Sequence, residues 1–113
     1  MFVPVCQLDD VPMGGMKKVD IGSASVVIYR FEDGVYATQR LCPHTWAPLD
    51  RGRLEDGCVI CPLHRARFDV RTGEVKEWAN WPNAIRLLNP LRGERRLKTY
   101  QAKIEDDQIW VDA

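Results

Sequence analysis

An excess of charge of either sign is missing from this chain: 16 Lys and Arg balance 16 Asp and Glu over 113 residues, for a formal net charge of zero at pH 7. Such a chain has no general attraction to nucleic acid or to an anionic membrane. No apolar run approaches the ~20 residues that a membrane-spanning helix needs, and the first ten residues carry neither a basic start nor a long apolar stretch. The expectation is a cytoplasmic protein with no membrane and no nucleic-acid partner. A dinucleotide fingerprint is absent too, since Gly14-Gly15 has neither the G-x-G-x-x-G spacing nor a βαβ setting. There is no internal repeat and no low-complexity segment. Histidine is the scarcest of the chemically useful residues, with only His44 and His64, and cysteine numbers four: Cys6, Cys42, Cys58 and Cys61. The length suits one domain, residues 1–113, and 45% apolar content supports a modest core.

The scarce residues are paired. Cys42-Pro-His44 and Cys61-Pro-Leu-His64 are separated by sixteen residues, and in each pair the cysteine is followed by proline, which fixes φ and favours a loop over regular structure. Between the pairs, Leu54-Glu-Asp-Gly-Cys-Val-Ile60 reads as a turn at Asp56-Gly57 leading into a short apolar strand that delivers Cys61. Two hairpin-like fingers gripping one metal centre follow from that arrangement. Two Cys/His pairs so placed suit a two-iron cluster in which two thiolates take one iron and two neutral imidazoles the other, which leaves less negative charge than an all-cysteine cluster carries. Cys₂His₂ is also a structural zinc set, although zinc sites usually draw each ligand pair from one residue type. A zinc-bound interaction module therefore stays open at this point.

Cys42-Pro-His-Thr-Trp-Ala-Pro-Leu49 and the stretch from Cys61 to Val75 resemble the two cluster loops of the Rieske-type ferredoxins, the [2Fe–2S] electron carriers of bacterial ring-hydroxylating oxygenase systems. Residues 5–12 resemble that family's first strand and turn, and Tyr100 to Val111 its closing hairpin, so the likeness covers nearly the whole chain apart from about residues 78 to 97. The resemblance implies an all-β Rieske fold, with antiparallel sheets forming a base and a cluster-binding subdomain inserted at approximately residues 41–82. It implies Cys42, His44, Cys61 and His64 as the ligands of one Rieske [2Fe–2S] cluster. It also implies a soluble carrier, monomeric in transient complexes, that passes single electrons from a flavin-dependent ferredoxin reductase to a terminal oxygenase, most often for aromatic substrates. A second class open to the same residues is the small Rieske-like subunit of an assimilatory nitrite reductase.

Within the resemblance, absences sharpen the reading. A full Rieske oxygenase also needs a mononuclear iron held by two histidines and a carboxylate, and here both histidines belong to the cluster pattern, which leaves an electron carrier without substrate chemistry of its own. Membrane-anchored Rieske subunits link their cluster loops by a disulfide; the matching positions are Ala47 and Leu63, which suits a reducing compartment. Cys6 and Cys58 remain over and, lying in strand-like runs, read as buried free cysteines. In high-potential relatives a serine and a tyrosine in the second loop donate hydrogen bonds to sulfur, and the positions here are Ala66 and Phe68. Such bonds stabilise the more negative reduced cluster, so their absence points to the low end of the Rieske range, roughly −150 mV. Arg65 replaces a common glycine and its cation opposes that trend in part. Trp46 and Arg65, as common interface anchors, are candidates for partner contact, although Trp46 also suits packing with Pro48 and Leu49; Trp78 and Trp81 read as packing residues beneath the loops.

Alternation and turn signals predict strands at about residues 2–7, 16–19, 25–31, 34–38, 58–61, 68–70, 97–104 and 108–111, separated by Gly and Asp turns. Asn83 to Asn89 offers about two turns of helix before Pro90. The connection from Trp78 to Lys98 is roughly ten residues longer than the family's usual one, a length that is as often functional as a plain surface excursion. Its Arg92, Arg95, Arg96 and Lys98, interrupted by Glu94, read as solvated loop charge, with an acidic patch on a redox partner as the functional alternative.

Overall fold

A computed structural model describes residues 1–42, 47–62, 66–77 and 97–112. The regular structure of the described residues is all strand, apart from two single-turn 3₁₀ segments at Leu8–Asp10 and Leu49–Arg51. The possible helix at Asn83 to Asn89, the tryptophans Trp46, Trp78 and Trp81, and the basic run from Arg92 to Arg96 lie outside the described residues.

Among the described residues, eleven strands form three antiparallel sheets. β1 (Phe2–Gln7), β10 (Ala102–Glu105) and β11 (Gln108–Asp112) make the first, in the order β1-β11-β10. The second holds β2 (Met16–Ile21), β3 (Ala24–Phe31), β4 (Gly34–Gln39) and β9 (Thr99–Tyr100) in that order. The third is a meander of three-residue strands, β5 (Arg53–Glu55), β6 (Cys58–Ile60), β7 (Arg67–Asp69) and β8 (Val75–Glu77). The all-β expectation holds. β5 and β8 add strands where sequence patterning marked none, and the run expected over 97–104 is split in two. Sequences as short and charged as Arg-Leu-Glu and Val-Lys-Glu carry too little alternation to signal a strand; pairing with β6 and β7 makes them one.

β3 organises the core. Val26, Val27, Ile28 and Tyr29 are all fully buried, a continuous apolar run that a strand shows when both its faces are covered. Because side chains alternate, Val26 and Ile28 pack with Val11, Val19, Val35, Ala37, Ile109 and Val111 between the first two sheets, whereas Val27 and Tyr29 face a second core built with the third sheet. In that second core the Tyr29 hydroxyl lies 2.8 Å from Thr38 Oγ1, which itself donates to the Gln39 carbonyl at 3.0 Å. Tyr29 is thereby left to donate to Thr38, and burial pushes its hydroxyl well above the ordinary tyrosine range.

The third sheet is tied to the base at two further places. The Arg71 guanidinium pairs with the Asp33 carboxylate at 3.1 Å and lies over the rings of Phe31 and Tyr36 at 5.0 and 4.9 Å. Hydrogen bonds from Tyr36 and Arg71 hold the Asp33 carboxyl below the usual range. Arg40 Nε donates to Asp50 at 2.9 Å, joining the end of β4 to the turn before β5.

Candidate metal centre

The two cysteine loops are closed in the same way. The Cys42 N–H donates to the Ala47 carbonyl at 2.8 Å, and the Cys61 N–H donates to the Ala66 carbonyl at 2.9 Å. Each cysteine thus opens a hairpin end whose far side returns five residues later. Flanking pairs extend both stems: Leu49 N–H to the Arg40 carbonyl at 2.7 Å with a Leu41–Pro48 bridge in the first, and Ile60 opposite Arg67 in the second. Pro62, after the second cysteine, suits this geometry because it has no N–H to satisfy. One pair of the expected ligands is brought together: Cys42 and Cys61 are 1% and 0% exposed and belong to one buried cluster with Ala47, Leu49, Val59, Ala66 and Phe68. His44, His64 and Arg65 lie outside the described residues.

The peptide ahead of each cysteine is held on its carbonyl side as well. Gln39 Nε2 donates to the Leu41 carbonyl at 2.6 Å, while Gln39 Oε1 accepts from the Lys98 N–H at 2.8 Å, so one side chain ties the first loop to the returning chain before β9. In the second loop the Ile60 carbonyl packs against Gly52, where a Cβ would stand 1.9 Å from that oxygen. Gly52 has φ −84°, so close approach, and not backbone conformation, is what calls for glycine there. Neither Gln39 nor Gly52 stands out in the sequence; a glycine between two arginines just ahead of a strand was the one signal available.

The donor chemistry fits an iron–sulfur centre. Burial disfavours a bare thiolate, and a metal offsets that cost while taking the soft sulfur ligands that the two hairpins present. Among the described residues no group of three or more His, Cys, Asp or Glu is placed to hold a metal. Cys6 and Cys58, expected to be buried, are both only partly so, and none of the four cysteines forms a disulfide. Burial and the nearby Asp10 carboxylate push the Cys6 thiol up, so it is a poor nucleophile where it stands. Ala66 and Phe68 are 1% and 0% exposed beside the cysteines, so no hydroxyl stands at either position.

Residues 1–101 match the family model described as the Rieske [2Fe–2S] domain. The chain belongs to the Rieske family. It is 36% identical over 110 residues to the ferredoxin component of the naphthalene 1,2-dioxygenase/salicylate 5-hydroxylase systems of a Ralstonia species, covering 97% of this chain and 93% of that one. Among solved structures it is similar to the ferredoxin of carbazole 1,9a-dioxygenase from Nocardioides aromaticivorans, with a TM-score of 0.80, 30% identity and coverage of 98% and 96%. A complex of reduced oxygenase and oxidised ferredoxin in carbazole 1,9a-dioxygenase matches at a TM-score of 0.77 with 27% identity, over 97% of this chain and 91% of that one. These likenesses agree with the sheets described above, and they are to electron carriers, not to catalytic subunits. No helix among the described residues is long and apolar enough to cross a membrane.

Proposed function

We propose that this Rieske protein is the ferredoxin component of a ring-hydroxylating dioxygenase system, carrying single electrons from a flavin-dependent reductase to a terminal oxygenase and performing no substrate chemistry itself. Cys42, His44, Cys61 and His64 would hold the cluster. Bound there, a [2Fe–2S] centre takes up and gives back one electron at a time. The observation that carries the reading is the pair of matching hairpins that bring Cys42 and Cys61 into one dry cluster. The chain's own work is to hold both stems through Gln39 and Gly52, to exclude water with Leu49, Val59 and Phe68, and to leave the potential untuned by hydroxyls at Ala66 and Phe68. The whole chain acts as one Rieske unit with a cluster-binding subdomain over about residues 41–82; a third sheet whose four strands all fall between Arg53 and Glu77 supports this. We place it in the cytoplasm, a reading supported by Ala47 and Leu63 standing where a loop-linking disulfide would need cysteines, and expect a monomer in transient complexes.

Anaerobically purified protein should be red-brown and carry about two irons and two acid-labile sulfides per chain. His64→Ala should lose the cluster and much of the resistance to unfolding, because metal binding contributes folding free energy to loops with little core of their own. Zinc without sulfide in the wild-type protein would refute the reading. A large subunit that co-purifies in fixed ratio would move the protein to the nitrite reductase class.

A further inference from the structure

Beside the second cysteine loop lies an open cleft of about 430 Å³, lined among the described residues by Arg51, Gly52, Arg53, Ile60, Cys61 and Pro62. We infer that this cleft is the docking surface for acidic side chains of the terminal oxygenase, with Arg51 and Arg53 as its cationic contacts. The inference rests on the functional reading above and names the surface through which that function is exercised.

Charge bookkeeping along one short stretch supports it. Of the acidic residues between 50 and 55, Asp50 is engaged by Arg40 at 2.9 Å and Glu55 lies 3.5 Å from Arg67. Arg51 and Arg53 are both exposed, and among the described residues neither side chain has an ion-pair or hydrogen-bond partner. Asp56 sits at the opposite end of the β5–β6 hairpin from the Arg53–Ile60 pair, about 10 Å away at the rise of a strand. Two uncompensated cations therefore flank a concave site in a protein whose total charge is zero.

Position adds a second argument. Ile60 pairs with Arg53 across the hairpin, and Cys61 follows directly, so whatever enters the cleft touches the loop that carries a candidate ligand. A partner held there would touch Cys61, a candidate ligand itself, which favours short-range electron transfer. An apolar or cationic partner surface would leave both guanidinium groups desolvated and unpaired, which is costly. Carboxylates match them and can accept two parallel hydrogen bonds from each. The oxygenase is the source chosen because a structural neighbour of this chain is a ferredoxin complexed with its oxygenase.

The test uses cluster-loaded protein, reduced in advance, and the terminal oxygenase of the Ralstonia naphthalene dioxygenase system, with single-turnover reduction followed by stopped flow. Arg51→Glu and Arg53→Glu are compared with Lys103→Glu, which makes the same charge change in β10 of the first sheet. Arg51→Gln and Arg53→Gln serve where a reversal impairs folding. Each cleft reversal should slow oxygenase reduction about tenfold at low salt, where screening is weak. The wild-type and variant rates should converge as salt is raised, and Lys103→Glu should behave as wild type. Absorption spectrum, iron content and midpoint potential should be unchanged. Equal slowing by Lys103→Glu, wild-type rates in the cleft variants, or a potential shift large enough to account for the slowing would each overturn the inference while leaving the carrier function intact. Slowing confined to reduction of the protein by its reductase would overturn the choice of occupant. A wild-type protein that keeps its cluster yet fails to reduce the oxygenase would remove the functional reading, and the cleft assignment with it.

Discussion

Phe68→Tyr tests how the protein sets its potential, because the substituted atom enters the driest part of the site. Phe68 is fully buried in β7, paired with Val59 and clustered with both Cys42 and Cys61. A hydroxyl added there has two fates. If it donates to a cysteine sulfur, the bond strengthens when the cluster gains negative charge on reduction. A difference of about 1 kcal/mol between the two oxidation states, typical of one hydrogen bond, corresponds to about 40 mV, since 1.4 kcal/mol equals about 59 mV for one electron. The midpoint potential should therefore rise by about that amount, with stability nearly kept. If the hydroxyl finds no sulfur, it is a buried unpaired donor and costs about 1–3 kcal/mol of stability, with the potential unmoved. Ala66→Ser should act in the same direction, from a residue whose carbonyl is already bonded to the Cys61 N–H. Electrochemical titration and denaturant unfolding on the same samples separate the two fates. Unchanged or lower potentials in both variants, with the iron content of wild type, would refute the assignment of Ala66 and Phe68 as the positions where high-potential relatives carry hydroxyls.

Two further substitutions test the supports of the site. Gly52→Ala places a Cβ 1.9 Å from the Ile60 carbonyl, so β5 and β6 must separate next to Cys61; overpacking of this kind costs about 1–3 kcal/mol, and iron content should fall along with the melting temperature, whereas Gly22→Ala, which meets open space, should leave iron content untouched. Thr38→Val removes the acceptor of the buried Tyr29 hydroxyl and should cost about 1–3 kcal/mol in denaturant unfolding, most of which should return in the Thr38→Val, Tyr29→Phe double variant; a double variant as unstable as the sum of the singles would show that the pair is not coupled.

The donor pairs were legible in the sequence because their chemistry is local. Cys42-Pro-His44 and Cys61-Pro-Leu-His64 are rare residues at short spacings with prolines that enforce loops, and no fold is needed to read them. The all-β class was legible for the same reason, since alternation and Asp-Gly turns are properties of neighbouring residues. What the tertiary structure decided is non-local. Nothing in the run Val26 to Tyr29 says that its two faces serve two different cores, because that depends on which sheets come to rest on β3. Nothing in Arg51-Gly-Arg53 says that both arginines stay unpaired, because Arg40 and Arg67, distant in sequence, take the neighbouring carboxylates. The glycine between them reads as an ordinary loop residue until the Ile60 carbonyl arrives against it. Pairing, packing and charge compensation join residues far apart along the chain, and a site built from them takes form only when the sheets close around it.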